Sequence, residues 1–460
     1  MRHFAIQKSK RIDMLHGSIF PKMLAFAIPL IATGMLQQSL NSVDVAVVGR
    51  FEGSQALAAV GSNGMIISLL INLFVGIAVG ANVVIANYIG QNNSKGIKNA
   101  IATTGFLAVI SGVILLILGV SLARPILEWM GTPEDIIDLS TLYLRIYFTG
   151  MPFMMIYNFG AAILRSIGDT KRPFYILLVA GITNAVLDLL FVGVFGMGVA
   201  GVSTATVIAN GISAVIMVYL LIKEEAPYKV IPRELKIIKP ELNKILRIGF
   251  PAGLQGVIFS ISNVFIQSTI NEFGSDAVAG SAAALVFEMY CYFIVSAFAQ
   301  ATVAFTAQNY GAAQLDRCKK IFYIGLLTSM IGCAIPNAVI AIFKEWFIAI
   351  FSDSAPVVAF ASTRITLVLL YQFIACSYEI AGGAMRGFGY SLTPTLITLC
   401  GTCVLRIGWV AAFHSHIKSF NDIMWVYPVS WAITGVLALI AYFIVLHHVL
   451  KKQPLQPSAN

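Results

Sequence analysis

Long apolar runs alternate with short polar punctuation along this chain, and the runs set its architecture. Twelve stretches of about 20 apolar residues, the length that crosses a bilayer hydrocarbon core, centre near residues 34, 73, 110, 153, 183, 211, 260, 292, 330, 372, 402 and 438. The pattern predicts an all-α integral membrane protein with twelve transmembrane helices. Several runs exceed the bilayer thickness, which predicts tilted or kinked helices. Pro29 falls inside the first run, where it removes one backbone hydrogen bond and permits a bend. The longest polar stretch, Lys223 to Arg247, divides the runs six and six. The expected organisation is a cytoplasmic N-terminal segment (1–17), a first half (18–223), an inter-lobe linker (224–241), a second half (242–450) and a cytoplasmic tail (451–460).

The halves repeat at a constant offset of 221 residues. Gly53-Ser54 recurs as Gly274-Ser275, Ala86 and Gly90 as Ala307 and Gly311, and Tyr157 as Tyr378. Arg165 and Gly168 recur as Arg386 and Gly389, and Pro173 as Pro394. Each half holds an even number of spans, so the repeat is parallel, with its axis along the membrane normal.

Composition agrees with this architecture. The chain is 58% hydrophobic and 11% charged, with a mean hydropathy of +0.84, whereas a soluble chain carries about 25% charged residues. The basic start is not followed by a short apolar core and cleavage site, so no signal peptide is expected. Outside the N-terminus, the loops after even-numbered spans and the C-terminus lie only Arg50, Arg124, Arg145, Lys344, Arg364, Arg406 and Lys418, which leaves 23 of the 30 basic residues in those segments. By the positive-inside rule both termini are expected in the cytoplasm. Cytoplasmic loops facing anionic lipid account for the net charge of +9 without nucleic acid. Cys400 and Cys403 lie inside a span with no histidine nearby and read as packing residues rather than a metal or redox pair.

Candidate chemistry is concentrated in Asn184 and Asp188, four residues apart and so on one helix face. An ionisable side chain inside a span is costly and points to function. The chain turns through the Gly-rich stretch 193–201 and returns with Thr206, so Asp188 and Thr206 both lie roughly 13 Å below one surface. Asp44, near the end of the first span, lies roughly 9 Å deep on the same scale. Two acids, an amide and a hydroxyl at similar depth form a candidate coupling-ion site. Two neighbouring carboxylates in low dielectric cannot both ionise easily and would exchange a proton; the same oxygens could hold Na⁺. In the second half the matching positions are Phe265, Leu405, Trp409 and Tyr427, so the scaffold repeats and the site does not.

Glu288 and Glu379 are acidic only in the second half. Either could be a structural acid, or face a central cavity and attract cations alongside Tyr378 and its aromatic neighbours. Gln37 and Gln38 are candidate cavity amides. Arg165 and Arg386, at helix ends beside turns, read as capping and lipid-facing anchors. No phosphate loop, nucleophile motif or metal-ligand motif is present, so no catalytic residue, enzyme activity or cofactor is expected, and transport energy would come from an ion gradient.

On these residues the chain resembles the multidrug and toxic compound extrusion (MATE) family of secondary transporters. The motifs are Ser42-Val43-Asp44 with Val48-Gly49-Arg50, Ala56 to Val60, Leu164 to Asp169 with Pro173, Asn184 with Asp188, and Ala205-Thr206; the second half adds Gln308-Asn309 with Gly311 and Arg386-Gly387 with Pro394. The similarity runs over roughly residues 15–450. It implies two six-helix lobes in a V around a central cavity, and export of amphipathic, often cationic compounds in exchange for H⁺ or Na⁺. It also implies a bending role for Pro29 and an ion site on Asp44, Asn184, Asp188 and Thr206. One branch of the family carries an acid in the seventh span at the position of Phe259, so this sequence fits the branches that couple in the first lobe. A flippase for lipid-linked saccharides shares the scaffold, but its cavity is typically more basic. The expected partners are small amphipathic cations and membrane lipid, and the expected form is a monomer in a bacterial inner membrane.

Overall fold

The computed structural model describes residues 11–413 and 419–452. The basic residues before position 11, Lys418 and the tail beyond 452 lie outside them. Among the described residues the chain is helical with no strand. Eleven helices are long and apolar enough to span a bilayer, and one bent pair brings the total to twelve. In chain order they are α1 (Ile19–Phe51), α2 (Gly53–Gly90), α3 (Ser94–Trp129), α4 (Glu134–Thr149 with Met151–Ser166), α5 (Lys171–Val194) and α6 (Gly198–Lys223). The second set is α7 (Lys239–Asn271), α8 (Ser275–Gly311), α9 (Leu315–Ile342), α10 (Ala355–Gly387), α11 (Leu392–Ala411) and α12 (Phe420–Lys451). Large apolar side chains such as Ile117, Val186, Val215, Ile335 and Ile444 point outward, the surface expected of a multi-pass membrane protein.

One departure from a straight helix has a visible cause. The halves of α4 meet at 49°, at Gly150 and just before Pro152, whose ring cannot continue the hydrogen-bond ladder. Helix α1 instead continues through Pro29.

The 221-residue repeat extends to backbone detail. Gly53 opens α2 and Gly274 immediately precedes α8, with φ of 82° and 89°, and Gly168 and Gly389 precede α5 and α11 with φ of 85° and 88°. Only glycine adopts these angles without strain. Even the non-glycine turn residues match: Asn92 has φ of 52° and Ala313 has φ of 58°.

The chain divides into two compact units, the first comprising residues 1–12 and 32–253 and the second 13–31 and 254–460. This partition differs from the sequence division in the first helix of each half, which is cut two residues past Pro29 in α1 and past Pro251 in α7. Within unit 1 the start of α7 lies so close to α2 that a Cβ on Gly76 would sit 2.1 Å from the Gly253 nitrogen. Within unit 2 the start of α1 packs Phe26 edge-on against Phe305, with ring centroids 5.7 Å apart. The core of unit 2 includes Ala284, Cys291, Ile348, Ala361, Ile365 and Leu369.

Candidate functional site

Helices α1 and α5 in unit 1 approach closely at small residues. A Cβ on Gly181 would sit 2.4 Å from a Leu40 methyl, and one on Gly193 would sit 3.3 Å from the Phe51 ring. Between these contacts lie Asp44 on α1 and Asn184 and Asp188 on α5, all buried, with Asp188 at 0% exposure. Asp44 lies close to the side chains of Asp188 and Thr206, and Asn184 Nδ2 donates to Asp188 Oδ2 at 3.2 Å. Thr206 Oγ1 also donates to the Val202 carbonyl at 3.0 Å. The four residues named from the sequence thus converge.

A hydrogen bond between two carboxyl groups needs a proton between them, because an ionised carboxylate only accepts. Among the described residues, Asp44 and Asp188 each keep one buried Oδ1 without a hydrogen-bond partner. Hard oxygens with spare lone pairs suit a proton or a small alkali cation. Directly after Asp188 the helix widens into a π-helical turn, Leu189–Val194, a distortion frequent at functional sites. Tyr143 and Tyr147 of α4 stack at 5.7 Å within electrostatic reach of Asp44. Sequence reading missed these two residues, although Tyr143 is the 221-offset counterpart of Arg364.

The remaining candidates fall separately. Gln38 lines a groove of about 470 Å³ with Asn41, Ser42, Val45, Gly49 and Leu57, while Gln37 is exposed. Glu288 is buried in unit 2 and held by Arg364, whose Nε and Nη2 donate to its two oxygens at 2.6 and 3.0 Å; this charge is met within the unit. Glu379 is half-buried and accepts from the Tyr292 hydroxyl at 3.2 Å. Tyr378 is buried. Arg386, expected to face lipid, instead turns inward and donates to Gln255 Oε1 at 2.6 Å, since an interior acceptor satisfies a guanidinium that hydrocarbon cannot. Cys400 is exposed and Cys403 buried, so the two thiols face apart.

Known proteins agree with this architecture. The MatE family model matches residues 29–190 and 251–410. "Probable multidrug resistance protein YoeA" of Bacillus subtilis (strain 168) is 30% identical over 426 residues, covering 91% of this chain and 92% of that protein. A protein named "FAD transporter" from Shewanella oneidensis is 23% identical over 438 residues, covering 93% and 95%. A solved structure described as the outward-facing conformation of a multidrug resistance MATE family transporter aligns with a TM-score of 0.89 at 22% identity, covering 96% of this chain and 99% of that one. A family match over both halves, together with this relative, establishes membership: the chain belongs to the MatE family, whose members are multidrug and toxic compound extrusion transporters and not enzymes.

Proposed function

We propose that this protein is an antiporter that exports amphipathic, cationic compounds in exchange for H⁺ or Na⁺ by alternating access. Asp44, Asn184, Asp188 and Thr206 hold the coupling ion. The observation that carries the reading is the contact between two buried carboxyl groups inside spanning helices of unit 1, a costly arrangement that an exchanging cation would stabilise. When the pair is empty of ions the cargo binds from the cytoplasmic side; ion entry from outside reshapes α1 and releases the cargo. The basic loops support cytoplasmic termini in an inner membrane, and Glu379 with Tyr378 is the candidate cargo-facing set of unit 2.

The test is efflux of ethidium from liposomes carrying the purified protein, with a pH gradient and a Na⁺ gradient imposed separately. Transport driven by one gradient and lost in both Asp44→Asn and Asp188→Asn names the ion and supports the site. Unimpaired transport in both variants would reject it. A second reading, an anionic cargo, is favoured by the relative named as an FAD transporter. Gradient-driven movement of FAD, with none of ethidium, would select it.

A further inference from the structure

Unit 2 buries a guanidinium whose outer nitrogens find no hydrogen-bond partner among the described residues. Arg406 of α11 is 1% exposed and heads the largest fully buried side chains. Its Nε donates to Ser430 Oγ at 3.0 Å. Its guanidinium lies 4.5 Å from the ring of Tyr427, 5.6 Å from Phe259 and 5.8 Å from Trp431. Ring faces attract a cation but offer its N–H groups no in-plane acceptor. Among the described residues Nη1 and Nη2 both lack a hydrogen-bond partner.

The surroundings do not balance this charge. The titratable groups that act most on Arg406 are Tyr427, Tyr378, Cys403 and Glu288, while Glu379, which also acts on Tyr378, is offset by Arg386. Among the former only Glu288 is a carboxylate, and both its oxygens are engaged by Arg364. Arg364 also lies 5.4 Å from the Tyr427 ring. With Glu379 set against Arg386 and Glu288 against Arg364, Arg406 is left as one surplus positive charge in an apolar interior, which a counter-ion would stabilise. π-Helical turns flank both arginines: Arg364 immediately precedes Ile365–Leu369, and Arg406 follows Leu399–Val404 by two residues.

We propose that Arg406 binds a small monovalent anion of the halide class through Nη1 and Nη2. One surplus charge calls for one negative charge. The near-complete cover by Tyr427, Phe259 and Trp431 favours a monatomic ion over a bulky oxyanion. Arg364 supplies further positive potential without giving up Glu288. The site stands apart from the carboxylate pair of unit 1 and does not depend on the direction or coupling of transport.

The experiment uses the full chain, purified in detergent, with potassium salts so that no Na⁺ reaches the carboxylates. Replacing gluconate by chloride or bromide at constant ionic strength should raise the unfolding temperature by several degrees and saturate, as a ligand of the folded state does. Arg406→Gln should abolish the rise, and Asp44→Asn should retain it. Independently of any variant, crystals grown in bromide should show an anomalous peak within hydrogen-bonding distance of the Arg406 Nη atoms. A wild-type protein indifferent to halide, an equal halide response in Arg406→Gln, or bromide absent from Arg406 would each overturn the site; water would then serve those nitrogens.

Discussion

Unit 1 and unit 2 bury groups of opposite charge in one repeated scaffold, each where the other carries an uncharged residue. Thr206 touches a buried carboxyl group in unit 1, and its counterpart Tyr427 lies against Arg406 and Arg364 in unit 2. Tyr143, beside the carboxylates, corresponds to Arg364, while Asp44 and Asp188 correspond to Phe265 and Trp409. The turns and helix starts repeat closely, so backbone geometry does not select the chemistry. A few side chains set its sign. The repeat thus supplies two equivalent interior locations, and the sequence equips one with spare oxygens and the other with spare N–H groups.

The largest effect should come from removing the charge that distinguishes unit 1. Asp188→Asn keeps the shape of the side chain, and Asn184 can still hydrogen-bond to it, but no carboxylate remains to pair with Asp44. Gradient-driven efflux should fall to background while the detergent-purified protein stays folded, as measured by liposome transport beside thermal unfolding. Loss of folding along with transport would make the pair a structural element and dissolve the functional contrast between the units.

The next effect is on stability in unit 2. Glu288→Gln leaves Arg364 buried without its counter-charge, and breaking one side of a buried pair costs about 3–5 kcal/mol. The Arg364 and Glu288 side chains are 4% and 8% exposed, so solvent screens little of this. A large drop in unfolding temperature is expected for the single variant. The double variant Glu288→Met with Arg364→Met should recover most of it, because matched apolar replacement of a buried pair is often neutral. A single variant as stable as wild type would mean that Arg364 finds another partner, such as the Tyr427 hydroxyl.

Much of this contrast was legible in the sequence. Hydropathy located all twelve spans, because a helix that crosses the hydrocarbon core needs about 20 mostly apolar residues. The break in the fourth span was missed because Gly150 and Pro152 sit in a continuously apolar run. The four polar residues of unit 1 could be assembled from depth alone, since a short turn fixes the register of α5 against α6. The Glu288–Arg364 pair could not, because the partners are 76 residues apart and no short turn ties α8 to α10. A signal was nonetheless present. Arg364 and Arg406 are two of only seven basic residues outside the basic loops, and a cation inside a span demands either an acid or an anion.

A moderate effect should follow from Thr206→Val, which keeps side-chain shape and removes a neutral oxygen from the proposed ion site. Loss of one such contact is worth about 1 kcal/mol, or roughly a fivefold weaker apparent affinity for the coupling ion. Transport should persist, with its ion dependence displaced to higher concentration and its half-saturation for cargo unchanged. A shift in cargo affinity with ion dependence unmoved would place Thr206 on the cargo path.

The smallest effect, and the sharpest for the division of labour, concerns Tyr292. Its hydroxyl donates to Glu379 at 3.2 Å, so Tyr292→Phe should cost about 1 kcal/mol of stability or less. If Glu379 attracts cationic cargo, this variant frees one lone pair of its carboxylate and should alter the KM for ethidium a few-fold. Glu379→Gln, which removes the charge, should raise that KM further. Neither should move the ion dependence if, as proposed, the carboxylates of unit 1 set it. Steady-state efflux at varied ethidium and varied ion concentration separates the two quantities. A change in ion dependence on mutating Glu379 would show that coupling is shared between the units, whatever the asymmetry of their buried charges.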